Sequence, residues 1–290
     1  MMRKLLMLML ALIAASAGAR IAGARTLSVE AVVSPAWVEH AGGDREPLVP
    51  GAVLQDGDKV LTGNGARALL RMAEGSAIKL GENASLGVDR LADKGSGAGR
   101  VVSGALNVVQ GAFRFTTRLF GSPRASRDLN IRIATVTAGI RGTDIWGKSS
   151  ADRDVVCLIE GRVYVQHQEQ AFTMQDPLSF FIAGRDGSRQ PVAPVPEAQL
   201  REWSTETEIA RASGASRRGG RHRVVINAVD NGAATTLAVK LRGEGYPARV
   251  RAYRADSDLR YAVDVAGLAS VEDAAQLAAT LRRAGYPTEN

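Results

Sequence analysis

Short apolar runs, each soon broken by glycine, asparagine or aspartate, fill residues 27–192 and point to strands rather than helices. Residues 66–72 (ARALLRM) are followed by the turn Glu74-Gly75 and then by Ser76-Ala77-Ile78-Lys79-Leu80. Alternation puts Ile78 and Leu80 on one face and Lys79 on the other, as a half-buried strand requires. Gly81-Glu82-Asn83 turns again, and Leu86 and Val88 resume the pattern. Residues 101–109, 113–117, 130–136 and 154–166 continue it, with Glu160-Gly161 read as a hairpin turn and 93–100 and 122–127 as loops. Many closely spaced strands predict a mainly β domain, built as a twisted sandwich, a barrel or a solenoid-like stack, because open edges invite aggregation.

The N-terminus predicts the compartment. Arg3 and Lys4 precede the apolar run Leu5 to Ala15, and small residues follow, so residues 1–24 read as a signal peptide. The run is shorter than the ~20 residues a spanning helix needs. No second such run follows, so the mature chain is expected in the periplasm or cell envelope without a transmembrane span. The single cysteine, Cys157, excludes an intramolecular disulfide and sits in an apolar run as a buried hydrophobe would. The net charge is +7, and residues 217–260 hold ten Lys/Arg against four Asp/Glu. That bias favours a polyanionic or membrane-surface neighbour, or else a solvated basic face.

Pro191, Pro194 and Pro196 mark a stiff linker, and residues 193–222 read as that linker with a short helix, flexible over 212–220. Beyond it lies an internal repeat. Residues 234–247 and 274–287 match at Ala234/Ala274, Leu237/Leu277, Ala238/Ala278, Leu241/Leu281, Arg242/Arg282 and through Gly-Tyr-Pro at 245–247 and 285–287. Each copy has a helical apolar face and ends on glycine. Strands at 224–229, 248–254 and 261–265 complete a β-α-β-β-α order, a small α+β split β-α-β (ferredoxin-like) unit over 223–290.

Two resemblances follow from these residues. Residues 27–192 resemble the FecR domain at Gly57-Asp58-Lys59-Val60-Leu61-Thr62-Gly63, at Glu74-Gly75-Ser76-Ala77-Ile78-Lys79-Leu80, and above all at Thr137-Ala138-Gly139-Ile140-Arg141-Gly142-Thr143-Asp144. The resemblance implies a mainly β envelope domain over 26–192; founding members are periplasmic parts of iron-uptake signalling proteins. Residues 223–290 resemble a SPOR domain, in the Gly-Tyr-Pro repeat, in Tyr261-Ala262-Val263-Asp264-Val265, and in Ala269-Ser270-Val271-Glu272-Asp273-Ala274-Ala275. That resemblance implies binding to peptidoglycan glycan strands stripped of stem peptides. The family's usual Gln and Gly-x-Phe on the first strand read Ile226 and Ala228-Val229-Asp230 here, and its Gly-Pro-Phe reads Ala266-Gly267-Leu268.

The residues point to binding rather than catalysis. Ser76-x-x-Lys79 has the spacing of a Ser-Lys catalytic pair, but on a strand i and i+3 face opposite ways. Residues 139–144 lack the Gly-Lys-Ser/Thr ending of a phosphate-binding loop. Arg141 and Asp144 there are expected to pair or to satisfy loop carbonyls, with ligand contact the alternative. His40, His167 and His222 lie far apart, so neither metal nor cofactor is expected. The last strands lack base-stacking aromatics at 224–229, which argues against nucleic acid. The candidate glycan surface is the sheet face opposite the repeat helices. Asn227 or Ile226, and Asp264 or Ala262, would line it, the register being open, with Arg249, Arg251, Arg254 and Arg260 adding positive charge. The expected function is a non-catalytic envelope adaptor that binds peptidoglycan weakly. The alternative is a periplasmic signalling or ligand-sensing protein acting through the first domain on an envelope partner.

Overall fold

A computed structural model describes residues 27–95, 100–117, 125–140 and 142–288; the signal-peptide segment 1–24 and Arg141 lie outside the described residues. The strands are β1 (Leu27–Val33), β2 (Ala36–Glu39), β3 (Arg45–Pro47), β4 (Val53–Leu54), β5 (Lys59–Thr62), β6 (Arg67–Met72), β7 (Ala77–Leu80), β8 (Ser85–Lys94), β9 (Arg100–Thr116), β10 (Ala125–Ile133) and β11 (Val136–Ile140). They continue as β12 (Asp144–Ser149), β13 (Arg153–Glu160), β14 (Val163–His167), β15 (Gln170–Met174), β16 (Ser179–Gly184), β17 (Arg189–Pro194), β18 (Ala215–Arg217), β19 (His222–Ala228), β20 (Ala248–Ala255) and β21 (Asp258–Leu268). Helices α1 (Glu197–Thr207), α2 (Asn231–Gly243) and α3 (Val271–Arg283) complete the fold.

The β body is a two-sheet sandwich. One sheet runs β1-β6-β7-β9-β12-β13-β16-β17, and the other runs β3-β2-β5-β8-β9-β10-β11-β14-β15. Every pairing is antiparallel except β9 with β10. Strand β9 belongs to both sheets: its residues up to Gln110 pair with β8, and from Gly111 onward they pair with β12. The corner needs a glycine. Gly111 has φ +87°, and a Cβ there would lie 2.5 Å from the Ala84 Cα. Alternating side chains from both sheets meet in one core that includes Leu70, Ile78, Phe113, Phe115, Leu106, Ile131 and Val163.

Three expectations change. Glu160-Gly161 is not a hairpin turn, because β13 and β14 lie in different sheets. Gly161, with φ +92°, carries the chain between them, packed against the Gly142 carbonyl. Residues 189–194 pair with β16 as an edge strand, where their prolines need no inward hydrogen bond. Residues 215–217 pair with β1, so this stretch is ordered and its Ala215 and Ser216 are buried. The spacing toward residue 222 hid this, since small residues read as flexible when no partner strand is in view.

Between those strands, α1 crosses the outer face of the first sheet as a strap. Trp203 stacks on Trp146 with centroids 4.6 Å apart and planes 7° apart, and Phe180 meets Trp203 edge-on at 5.8 Å. Val155, Cys157 and Leu200 fill the same cluster. Pro196 caps α1 without a side-chain bond, so the helix depends on this packing more than on its ends.

The last unit has the order β19-α2-β20-β21-α3, with sheet order β19-β21-β20 and both helices on one face. Both helices end alike. Gly245 and Gly285 take φ +84° and +89°, and the Tyr246 and Tyr286 amides donate to the Leu241 and Leu281 carbonyls at 2.9 and 3.0 Å. This is the Schellman closure that the repeated Gly-Tyr-Pro encodes. Asp230 and Ser270 cap the starts, accepting from the Ala233 and Asp273 amides. The unit is joined to the body. Strand β18 bridges β1 and β21, the Ser216 hydroxyl donates to the Val32 carbonyl at 3.1 Å, and the Trp37 indole N–H donates to the Gly243 carbonyl at 3.2 Å.

Candidate functional site

Two surfaces gather the polar chemistry. The first lies under the strap. Strand alternation turns Lys79 (β7), Arg114 (β9) and Asp144 (β12) toward the outer face, while Ile78, Phe113, Phe115 and Ile145 fill the core. Asp144 receives two parallel hydrogen bonds from Arg114, at 2.9 and 2.7 Å, and a third from the Thr116 hydroxyl at 3.3 Å. The carboxylate holds the Arg114 guanidinium pKa above its ordinary value, against a smaller opposing effect of burial. Glu208, one residue past α1, then pairs with Lys79 and lies 3.6 Å from Arg114; Glu206 pairs with Lys148 at 2.9 Å. Asp144 therefore acts through Arg114 to hold the acidic end of the strap. Of the predicted pair, only Asp144 falls within the described residues.

Nearby nucleophiles are quiet. Burial pushes the Cys157 thiol up to about 12, so it stays protonated at neutral pH. Ser76 is buried, while Lys79 sits on the opposite side and pairs with Glu208, so the Ser-x-x-Lys spacing brings no catalytic pair together. A cleft of about 680 Å³ opens beside the strap, walled by Arg67, Glu82, Gln110, Lys148, Ser150 and Glu206.

The second surface is the helix-free face of the last sheet. The register, left open by the sequence, is set by Val225 opposite Asp264 and Arg249 opposite Asp264. Asn227, Ala262 and Asp264 share this face, with Arg249, Arg251 and Arg260. Ile226 is in the helix-side core instead, and Arg254 alternates with Arg251 and Tyr253 onto the opposite side. Asp264 is the hub. Its Oδ2 accepts from Arg251 at 2.7 Å and from Arg223 at 3.1 Å, and its Oδ1 has no hydrogen-bond partner among the described residues. The Tyr253 hydroxyl donates to Asn227 at 3.3 Å, and Arg251 lies 4.6 Å over the Tyr253 ring. Arg223 and Tyr253 were missed by sequence reasoning. Tyr253 was within reach, since it alternates with Arg249 and Arg251; Arg223 needed the register. Arg114 gave no local signal, lying 30 positions from Asp144.

Comparison with known proteins fits the body. Residues 58–164 match the family model described as FecR protein. This span holds the 57–63 stretch in all but Gly57, and the whole of the 74–80 and 137–144 stretches. No curated protein matches the chain. Two crystal structures of a candidate anti-sigma factor from Parabacteroides distasonis are similar. One is 11% identical, covers 65% of this chain and 74% of its own, and has a TM-score of 0.39. The other is 10% identical, covers 69% and 96%, and has the same TM-score.

Proposed function

We propose that this chain is a non-catalytic regulator of the bacterial envelope, in which the FecR-like body engages a protein partner and the C-terminal unit moves with it. The match over residues 58–164 carries this reading. Asp144 of the matched motif grips Arg114, and Arg114 and Lys79 hold Glu208 of the strap. The motif thus fixes the segment that leads directly to the C-terminal unit, which suits a part that passes on a binding event rather than one that performs a reaction. The signal-peptide pattern at residues 1–24 supports export, and among the described residues no helix is long and apolar enough to cross a membrane. The test is chemical cross-linking in intact cells followed by fractionation. A discrete adduct with an envelope protein that survives peptidoglycan digestion is expected. Chain recovered in the cytoplasm, or held only on undigested cell wall, would overturn the reading.

A second reading is supported by the basic face. Tyr253 offers an apolar ring beside Asn227, the pairing of platform and polar group that sugars need. Weak, salt-sensitive association with glycan strands follows, because exposed charge contacts are screened beyond ~8 Å at physiological ionic strength. Sedimentation of the whole chain with purified peptidoglycan at low and high salt checks it, with Tyr253→Ala as the variant that should lose binding.

A further inference from the structure

The C-terminal unit is a split β-α-β fold whose first strand has one edge unpaired. Strand β19 pairs with β21 on one side, and among the described residues no strand pairs along its other edge. In the complete version of this fold a fourth strand follows the second helix and lies along the first strand. Here that place is a groove. It has a volume of about 360 Å³ and is lined by Val224, Val225, Val271, Ala274, Ala275 and Ala278, with Arg223 and Arg282 as its charged lining. Val224 and Ala278 belong to the unit's core, so the groove opens onto apolar packing, and Val271 beside it is 63% exposed.

We propose that this edge and groove take an extended segment of a partner protein as a fourth strand, by β-strand addition. The chemistry of the segment follows from the surface. Its backbone pairs with residues 223–228, and aliphatic side chains at alternate positions enter the groove under α3. The start of β19 is basic, with Arg221 and Arg223 both exposed. In the antiparallel sense, the segment's C-terminal end lies beside them, so that end is acidic. Three other edges are less suited. Strands β17 and β3 contain Pro191, Pro194 and Pro47. The free edge of β20 carries Arg249, Arg251 and Arg254, charge of the kind that keeps strands apart, with no matching groove. The surface does not depend on what the FecR-like body does, so either idea can fail without the other.

The experiment uses the mature chain and a fluorescent eight-residue peptide of alternating threonine and valine ending in two glutamates. Saturable binding by fluorescence anisotropy is expected, with slowed hydrogen exchange at the amides of residues 223–228. A peptide with a central proline, and one ending in two lysines, should each bind at least tenfold more weakly. Ala275 is exposed on α3, so Ala275→Glu charges the groove without entering the core and should also cost at least tenfold. Arg221→Glu should narrow the preference for the acidic peptide. Equal binding of the proline peptide, indifference to Ala275→Glu, or protection elsewhere would overturn the proposal. A chain that dimerises through this edge and ignores the peptide would overturn it too, assigning the edge to a second copy.

Discussion

Removing the Trp203 side chain should release the strap. In Trp203→Ala the indole stacked on Trp146 at 4.6 Å, and met edge-on by Phe180 at 5.8 Å, is gone. Trp203 is only partly buried, so roughly half of a tryptophan's burial, about 100 Å², is lost. At ~25 cal/mol/Å² that is about 2.5 kcal/mol, and the aromatic pair adds about 0.5–1.5 kcal/mol. A total near 3–4 kcal/mol would lower the melting temperature by roughly 6–16 °C for a chain of this size. Because α1 lacks a side-chain cap, it should undock before the body unfolds. Hydrogen exchange read by mass spectrometry should therefore show residues 197–209 exchanging much faster under native conditions, while β6 and β7 stay protected. A loss below ~0.5 kcal/mol together with unchanged exchange at α1 would refute the idea that the tryptophan stack holds the strap.

Asp144→Ala leaves Arg114, whose side chain is 23% exposed, with Glu208 at 3.6 Å as its remaining acidic partner among the described residues, and should destabilise the chain by about 1–3 kcal/mol in urea unfolding. A double-mutant cycle with Glu208→Gln should be non-additive, since both carboxylates serve one guanidinium. Gly245→Ala forces a side chain into φ +84° and within 2.7 Å of the Trp37 ring, costing about 2–4 kcal/mol by thermal unfolding and loosening the joint with the body. Asp58, 3.0 Å away, raises the pKa of His40 above 6.5. The His40 contribution to stability is therefore full below pH 6.5 and lost as pH rises through the raised value. It should be small, because the ring is 41% exposed, and NMR titration of the His40 ring with unfolding at several pH values checks both points.

The sequence showed what is local. Alternation around Ile78, Lys79 and Leu80 placed those residues correctly because the period-two pattern depends on near neighbours alone. The repeat gave both helices and their Gly-Tyr-Pro ends for the same reason. Long-range pairing was hidden. Nothing near Glu160-Gly161 shows that β13 and β14 join different sheets, and nothing near Ala215 shows that β1, far away in the chain, is its partner. The sites divide in the same way. The sequence offers Asn227 and Asp264 only as alternatives to Ile226 and Ala262, and Arg249, Arg251, Arg254 and Arg260 only as nearby charge; the register puts all of these but Ile226 and Arg254 on one sheet face. The Arg114–Asp144 and Glu208 contacts join distant segments, so only coordinates bring them into view.

The regulatory reading is tested most directly by transcript profiling in cells from which the gene has been deleted and then restored. Deletion should change a small, defined set of transcripts. The wild-type chain should restore them, while an exported, folded Asp144→Ala,Arg114→Ala variant should not. Transcript levels that are the same with and without the chain, alongside tight salt-independent retention on purified peptidoglycan, would contradict it.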